Sequence, residues 1–163
     1  LDCLDALVNS AGVSAATPGD IASQPRDEWR RVLEINVVAV ADLTRLLLPL
    51  LRASHGDVVM INSGSGFLRT PAGGGVYAAS KYALRALTHA LREEERGGVR
   101  VTSIHPGRVD TDMQVELQAQ AGRPYNASEH LRPQSVAATV RAALEARPDA
   151  MIEELSVRPV FRG

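Results

Sequence analysis

Apolar residues follow two rhythms along this chain. One is short and unbroken. Residues 5–8 read as a short buried strand, and Asp57–Ile61 as a strand covered on both faces. Residues 100–104 and 152–157 read as two more strands. The other rhythm is helical. Trp29, Val32, Leu33, Val37, Val40, Leu43 and Leu47 form one apolar stripe, which Pro49 should kink or end. Tyr77, Leu84, Leu87 and Leu91 form a second stripe within a helix expected over residues 76–96. Residues 111–120 suggest a short helix, and residues 133–146 a longer one with Ser135 near its start. Polar, Gly- or Pro-bearing stretches at 17–25, 63–76 and 123–133 read as loops. Strands alternating with helices imply a doubly wound parallel α/β sheet. The length of 163 residues suits one domain, residues 1–163.

Composition narrows the function. The net charge of −1 points to neither nucleic acid nor an anionic membrane as partner. No apolar run is long enough to span a bilayer, since the run at 37–51 is broken by Asp42 and Arg45. Cys3 is the single cysteine, so no internal disulfide or thiolate cluster can form. That usage fits a reducing cytoplasm, with Cys3 itself expected to be a small buried hydrophobe. His55, His89, His105 and His130 lack metal-ligand spacing and read as structural. Residues 92–96 (Arg-Glu-Glu-Glu-Arg) read as a solvated helix face.

Lys81 is the only lysine among eighteen Lys and Arg residues. It follows Tyr77 by four positions, which puts both side chains on one face of the expected helix. An ammonium beside a phenol favours the phenolate and would make Tyr77 a usable proton donor or acceptor. Four further features sit at or beyond the ends of expected strands or in the helix between them. Ser63 follows a strand and could hydrogen-bond a substrate oxygen, with Ser65 competing for that role. Asn36 occupies a helix, where asparagine is a poor former, and could hold a water or a backbone group. Asn9 and Gly12 make a turn after the first strand. Pro106 and Gly107, with Val109 and Thr111, make a turn able to approach a flat ligand. In open α/β sheets this carboxyl edge is where ligands bind.

Taken in order, Asn9-Ser10-Ala11-Gly12, Asn36, Ser63, Tyr77 with Lys81, and Pro106-Gly107-Arg108-Val109-Asp110-Thr111 resemble the short-chain dehydrogenases/reductases. The resemblance runs from residue 1 to about residue 160. It implies a Rossmann-like fold and an NADP or NAD cofactor, with family habit tilting to NADP. It implies an oxidoreductase acting on a small-molecule carbonyl or alcohol, with Tyr77 as proton donor or acceptor. Lys81 would bind the nicotinamide ribose and lower the Tyr77 pKa. Ser63 would orient the substrate oxygen, and Asn36 would help hold a relay water. Val109 and Thr111 would contact the nicotinamide amide, and Asn9 and Gly12 would line the cofactor side. The Asn36 and Tyr77 helices often build a dimer interface in this family, so a homo-oligomer is an expectation too.

Three departures stand out. Ser10 replaces the family's second asparagine, and Ser63 precedes Tyr77 by fourteen residues where thirteen is usual. The glycine-rich phosphate loop is absent: no G-x-x-x-G-x-G occurs anywhere in the chain. The expectation is therefore the C-terminal two-thirds of such a domain, lacking its first strands, roughly 75 residues of βα units. A second reading keeps the side chains but not the chemistry: a catalytically silent fragment acting as an interaction module. The loop at 63–76 and the lid at 113–132 would choose the substrate, and neither carries a charge pattern that names one.

Overall fold

The computed structural model describes residues 2–16, 19–70 and 72–160. Four strands, β1 (Ala6–Asn9), β2 (Asp57–Ile61), β3 (Arg100–Pro106) and β4 (Glu154–Val157), form one sheet in the order β1-β2-β3-β4. Every pairing is parallel, with Val8 opposite Val59, Val59 opposite Thr102, and Ile104 opposite Leu155. Parallel neighbours need crossover connections, and helices supply them. The doubly wound, Rossmann-like arrangement expected from the alternation is what forms.

Central β2 is shut off from water, with Val58, Val59 and Met60 each at most 1% exposed. Such a strand needs apolar residues at every position, not alternate ones. By contrast β1 is only half-buried, and Val8 is 40% exposed, against the buried strand expected there. The reason is position: among the described residues β1 is an edge strand, paired only with β2.

The helical stripe after residue 25 is longer than its punctuation suggests. Helix α1 (Arg26–Leu33) runs into one π turn (Glu34–Val38) and on into α2 (Ala39–Ser54). Asp27 and Glu28 in the first turn of α1, with Arg30 and Arg31 in its last, complement the helix dipole. Pro49 does not end α2, which continues to Ser54. Proline removes one backbone donor. The turn beyond it is held from outside: Leu51 is fully buried, Leu4 N donates to Leu50 O at 3.3 Å, and Ser54 Oγ donates to Leu4 O at 2.6 Å. His55 then closes the helix in the left-handed conformation, at φ 52°.

Helix α3 (Gly75–Glu94) packs on β3, and its Leu84 and Leu91 join Leu51, Val58, Met60 and Val101 in the core. The charged run at its end is not uniformly solvated. Arg92 is buried and donates to Val101 O (2.8 Å) and Glu153 O (2.6 Å). Glu95 is buried and takes both ends of the Arg52 fork. These side chains satisfy backbone acceptors and tie α2 to α3, so helix phase rather than composition decides which are solvated. Helices α4 (Asp112–Gln120) and α5 (Pro133–Leu144) complete the chain, α5 packing against β2, β3 and β4. Cys3 is exposed rather than buried, because it precedes the β1 ladder. The expected loop at 17–25 falls partly on residues 17 and 18, outside the described residues.

Candidate active site

All four strands deliver their carboxyl ends to one cleft of about 1400 Å³. Val8, Ser10 and Gly12 follow from β1, Ile61 to Ser65 from β2, Pro106 to Val109 from β3, and Arg158 from β4. Tyr77 and Lys81 enter from the first turns of α3. Of the residues expected at the site, Ser63, Tyr77, Lys81, Gly12, Pro106, Gly107, Val109 and Thr111 all line this cleft. Ser65 lines it as well, but Ser63 is the serine whose side chain acts on the Tyr77 phenol, drawing its pKa down against the effect of burial. The Ser63 oxygen also accepts from Ser65 N at 3.1 Å, so Ser65 helps to orient it. The segment after Ser63 begins with the single turn Gly64–Gly66.

Asn9 and Asn36 do not line the cleft; they stand behind it. Asn9 Nδ2 donates to Thr44 Oγ1 at 3.1 Å and approaches Met60 Sδ at 3.2 Å, binding β1 to α2 and β2. Asn36 is fully buried in the π turn. Its Oδ1 accepts from Val13 N (2.8 Å), and its Nδ2 donates to Val13 O (2.9 Å) and Ser80 Oγ (2.9 Å). Both amide hydrogens are thus used on protein, and the asparagine holds a backbone group rather than facing solvent. Ser80 Oγ in turn donates to Tyr77 O at 2.7 Å, so one chain of hydrogen bonds links the Gly12–Val13 loop to the tyrosine's own backbone.

Lys81 is 4% exposed, and its Nζ donates to Ile61 O at 3.0 Å. Burial lowers its pKa from the ordinary 10.5 to about 8. The ammonium lies 5.9 Å from the centre of the Tyr77 ring. Tyr77 itself is shifted upward: burial raises its pKa, and the Ser63 hydrogen bond opposes that only in part. The lowering expected from Lys81 is not found: desolvation of the phenolate sets the direction of the shift. Gly12 lies beside the ammonium: a Cβ there would stand 3.5 Å from Asn36 Oδ1 and 3.6 Å from Lys81 Nζ.

Several contributors carried no sequence signal. His105 is buried beneath the site, its Nδ1 3.2 Å from Ser63 O and its Nε2 2.9 Å from Ser103 Oγ. It thereby positions the backbone of Ser63, and burial lowers its pKa. At the lid, Tyr125 donates to Asp110 Oδ1 and its ring lies 4.9 Å from that of His130. The carboxylate at its hydroxyl pushes the Tyr125 pKa up to about 12. With the Val109–Leu131 bridge, this anchors the lid to the turn after β3.

A parallel sheet carrying a hydroxyl, a phenol and an ammonium at its carboxyl edge defines a Rossmann-like α/β protein with a polar site at the strand ends. The short chain dehydrogenase family model matches residues 1–122, and the chain belongs to that family. It is 34% identical over 159 residues to an uncharacterized oxidoreductase of Staphylococcus epidermidis, covering 96% of this chain and 65% of that protein. It is 32% identical over 167 residues to dehydrogenase/reductase SDR family member 11 of Bos taurus, with the same coverages of 96% and 65%. The chain thus spans about 65% of the length of these relatives. Among solved structures, it resembles an alcohol dehydrogenase from Thermococcus sibiricus complexed with 5-hydroxy-NADP (TM-score 0.83, 26% identity, 99% of this chain and 65% of that one). It also resembles serine dehydrogenase from Escherichia coli (TM-score 0.80, 27% identity, 98% and 66%).

Proposed function

We propose that this chain carries the catalytic half of an NAD(P)-dependent oxidoreductase that interconverts a small carbonyl compound and its alcohol. The observation that carries the reading is the convergence of Ser63, Tyr77 and Lys81 on one cleft, with the Lys81 ammonium 5.9 Å from the centre of the Tyr77 ring. The residues present fit a nicotinamide dinucleotide. The cleft is lined by Arg69, Lys81, Arg108, Arg123 and Arg158, and by no Asp or Glu. Gly12 leaves open the space above Lys81, and Pro106-Gly107 presents backbone at the cleft wall. Lys81 would hold the ribose hydroxyls, Gly12 would line the cofactor side, and Pro106, Gly107, Val109 and Thr111 would flank the nicotinamide. The solved alcohol dehydrogenase it resembles carries a form of NADP, which supports NADP as the cofactor.

When bound, the nicotinamide supplies or accepts the hydride. Ser63 donates a hydrogen bond to the substrate oxygen and stabilises the charge that develops on it. Tyr77 holds the proton in its neutral form, as its upward pKa shift requires, and gives it to that oxygen in reduction. Lys81, charged below about pH 8, stabilises the phenolate left behind. Asn36 keeps the Gly12–Val13 loop registered against α3 through Val13 and Ser80, and so keeps the ammonium's surroundings constant. The open, lined cleft favours this enzyme over the interaction-module reading.

The test is a fluorescence titration with NADPH and NADH, repeated on Lys81→Ala, followed by carbonyl turnover in Tyr77→Phe. Saturable binding that the lysine variant loses is expected, together with a turnover loss of about 10² or more in the tyrosine variant. A folded chain that binds neither nucleotide would overturn the reading.

A further inference from the structure

Arg158 stands out among the cations of the cleft. Its Nη1 donates to the carbonyl oxygens of His105 and, at 3.1 Å, Val157, near the carboxyl ends of β3 and β4. Its Nε and Nη2 have no protein acceptor among the described residues, and it makes no ion pair there. These two nitrogens form the edge of the guanidinium that matches a carboxylate bidentately. The nearby carboxylate, Glu154, is already taken by Arg85 (3.3 Å) and His89 (2.7 Å). The plane of the guanidinium is held as well: Arg158 lies 5.7 Å from the centre of the Phe67 ring, with Arg85 also over that ring at 5.5 Å. His105 meets Phe67 edge-on at 4.9 Å. A cation held this way has little freedom left to lose on binding an anion.

Its position relative to the reacting groups decides what it could bind. Nη2 lies 3.0 Å from where a Cβ on Gly64 would sit, and Gly64 directly follows Ser63. This places the guanidinium beside the turn that carries Ser63, on the wall of the same cleft. Among the described residues no Asp or Glu lines the cleft, which favours an anion there.

We infer that Arg158 is the substrate-selecting residue of this cleft, and that the substrate is an oxo acid or the matching hydroxy acid, its carboxylate held by the Nε–Nη2 edge of the Arg158 guanidinium. This deepens the oxidoreductase reading and rests on it for the reaction, but the carboxylate site can be measured without the cofactor.

The experiment is calorimetric titration of 3-hydroxybutyrate, its methyl ester and acetate into the chain, in wild type, Arg158→Met and Arg158→Lys. The wild type should bind the acid on the order of tenfold or more tightly than the ester, as expected for a charge-assisted bidentate contact. Arg158→Met should close that gap, and Arg158→Lys should restore it only partly because lysine has no fork. Equal affinity for acid and ester, including no detectable binding of either, overturns the assignment. Acetate binding as tightly as 3-hydroxybutyrate also overturns it, showing an anion site with no preference for the hydroxy acid. Should Arg158→Met not fold, Arg158→Lys decides: an acid preference undiminished in that variant overturns the assignment. An acid preference that persists in a chain binding no NADPH would sink the oxidoreductase reading and leave the carboxylate site standing. NADPH binding with no acid preference would do the reverse.

Discussion

The Lys81 ammonium donates to the carbonyl oxygen of Ile61, at 3.0 Å, where β2 ends and the Ser63 turn begins. A charge buried to 4% exposure is held by a neutral acceptor, with no carboxylate beside it. Such a group costs folding energy. A fold that keeps it uses it for something other than stability.

Lys81→Met should therefore stabilise the chain while removing NADPH binding. The downward shift from 10.5 to about 8 corresponds to roughly 3 kcal/mol. Losing the bond to Ile61 offsets about 1 kcal/mol of that, leaving a gain of about 2 kcal/mol near neutral pH. Chemical denaturation of the two proteins measures it, and a less stable variant would contradict the argument.

The same shift gives a pH dependence. The folded pKa lies below the unfolded one, so between about 8 and 10.5 the unfolded chain holds more protons and this group's contribution to stability improves as pH rises. Cofactor affinity runs the other way. It should be level below about pH 8 and fall as Lys81 loses its charge above it. Titrations of NADPH across this range read it directly, and a level affinity well into alkaline pH would count against Lys81 as the anchor.

Asn36→Ala removes three hydrogen bonds at once and leaves Val13 N and O unpaired. Thermal unfolding should show a loss of about 2–4 kcal/mol. Backbone amide exchange at Val13 should quicken more than at β2 residues such as Val59. Uniform quickening would mean that the asparagine supports the fold at large rather than this loop.

Gly66→Ala places a methyl 2.9 Å from Lys81 O and 3.2 Å from its carbonyl carbon. Both contacts are with helix backbone, which cannot step aside as a side chain can. The variant should lose about 2 kcal/mol or more and weaken NADPH binding by moving α3 away from the Ser63 turn. Unchanged stability would show that the turn has slack.

The recurrence of short apolar runs and helical stripes was enough to read four parallel strands and the helices between them from sequence, because burial on both faces and 3.6-residue periodicity leave direct marks on composition. The strand Asp57–Ile61 and the pairing of Tyr77 with Lys81 on one helix face are local properties, and the structure has them as read. Family membership was legible for the same reason: its marks are residue types in fixed order. What depends on distant partners was not. Pro49 lies within a helix because Leu4 and Leu51 hold the turn beyond it, and Arg92 and Glu95 are buried because β3 and α2 stand opposite them. The direction of the Tyr77 shift, the withdrawal of Asn36 to the back of the cleft and the setting of Arg158 arise where β1, β2, β3 and β4 end side by side. Desolvation and hydrogen-bond partnership are properties of that assembled neighbourhood, set by residues far apart in the chain, and only the tertiary structure decides them.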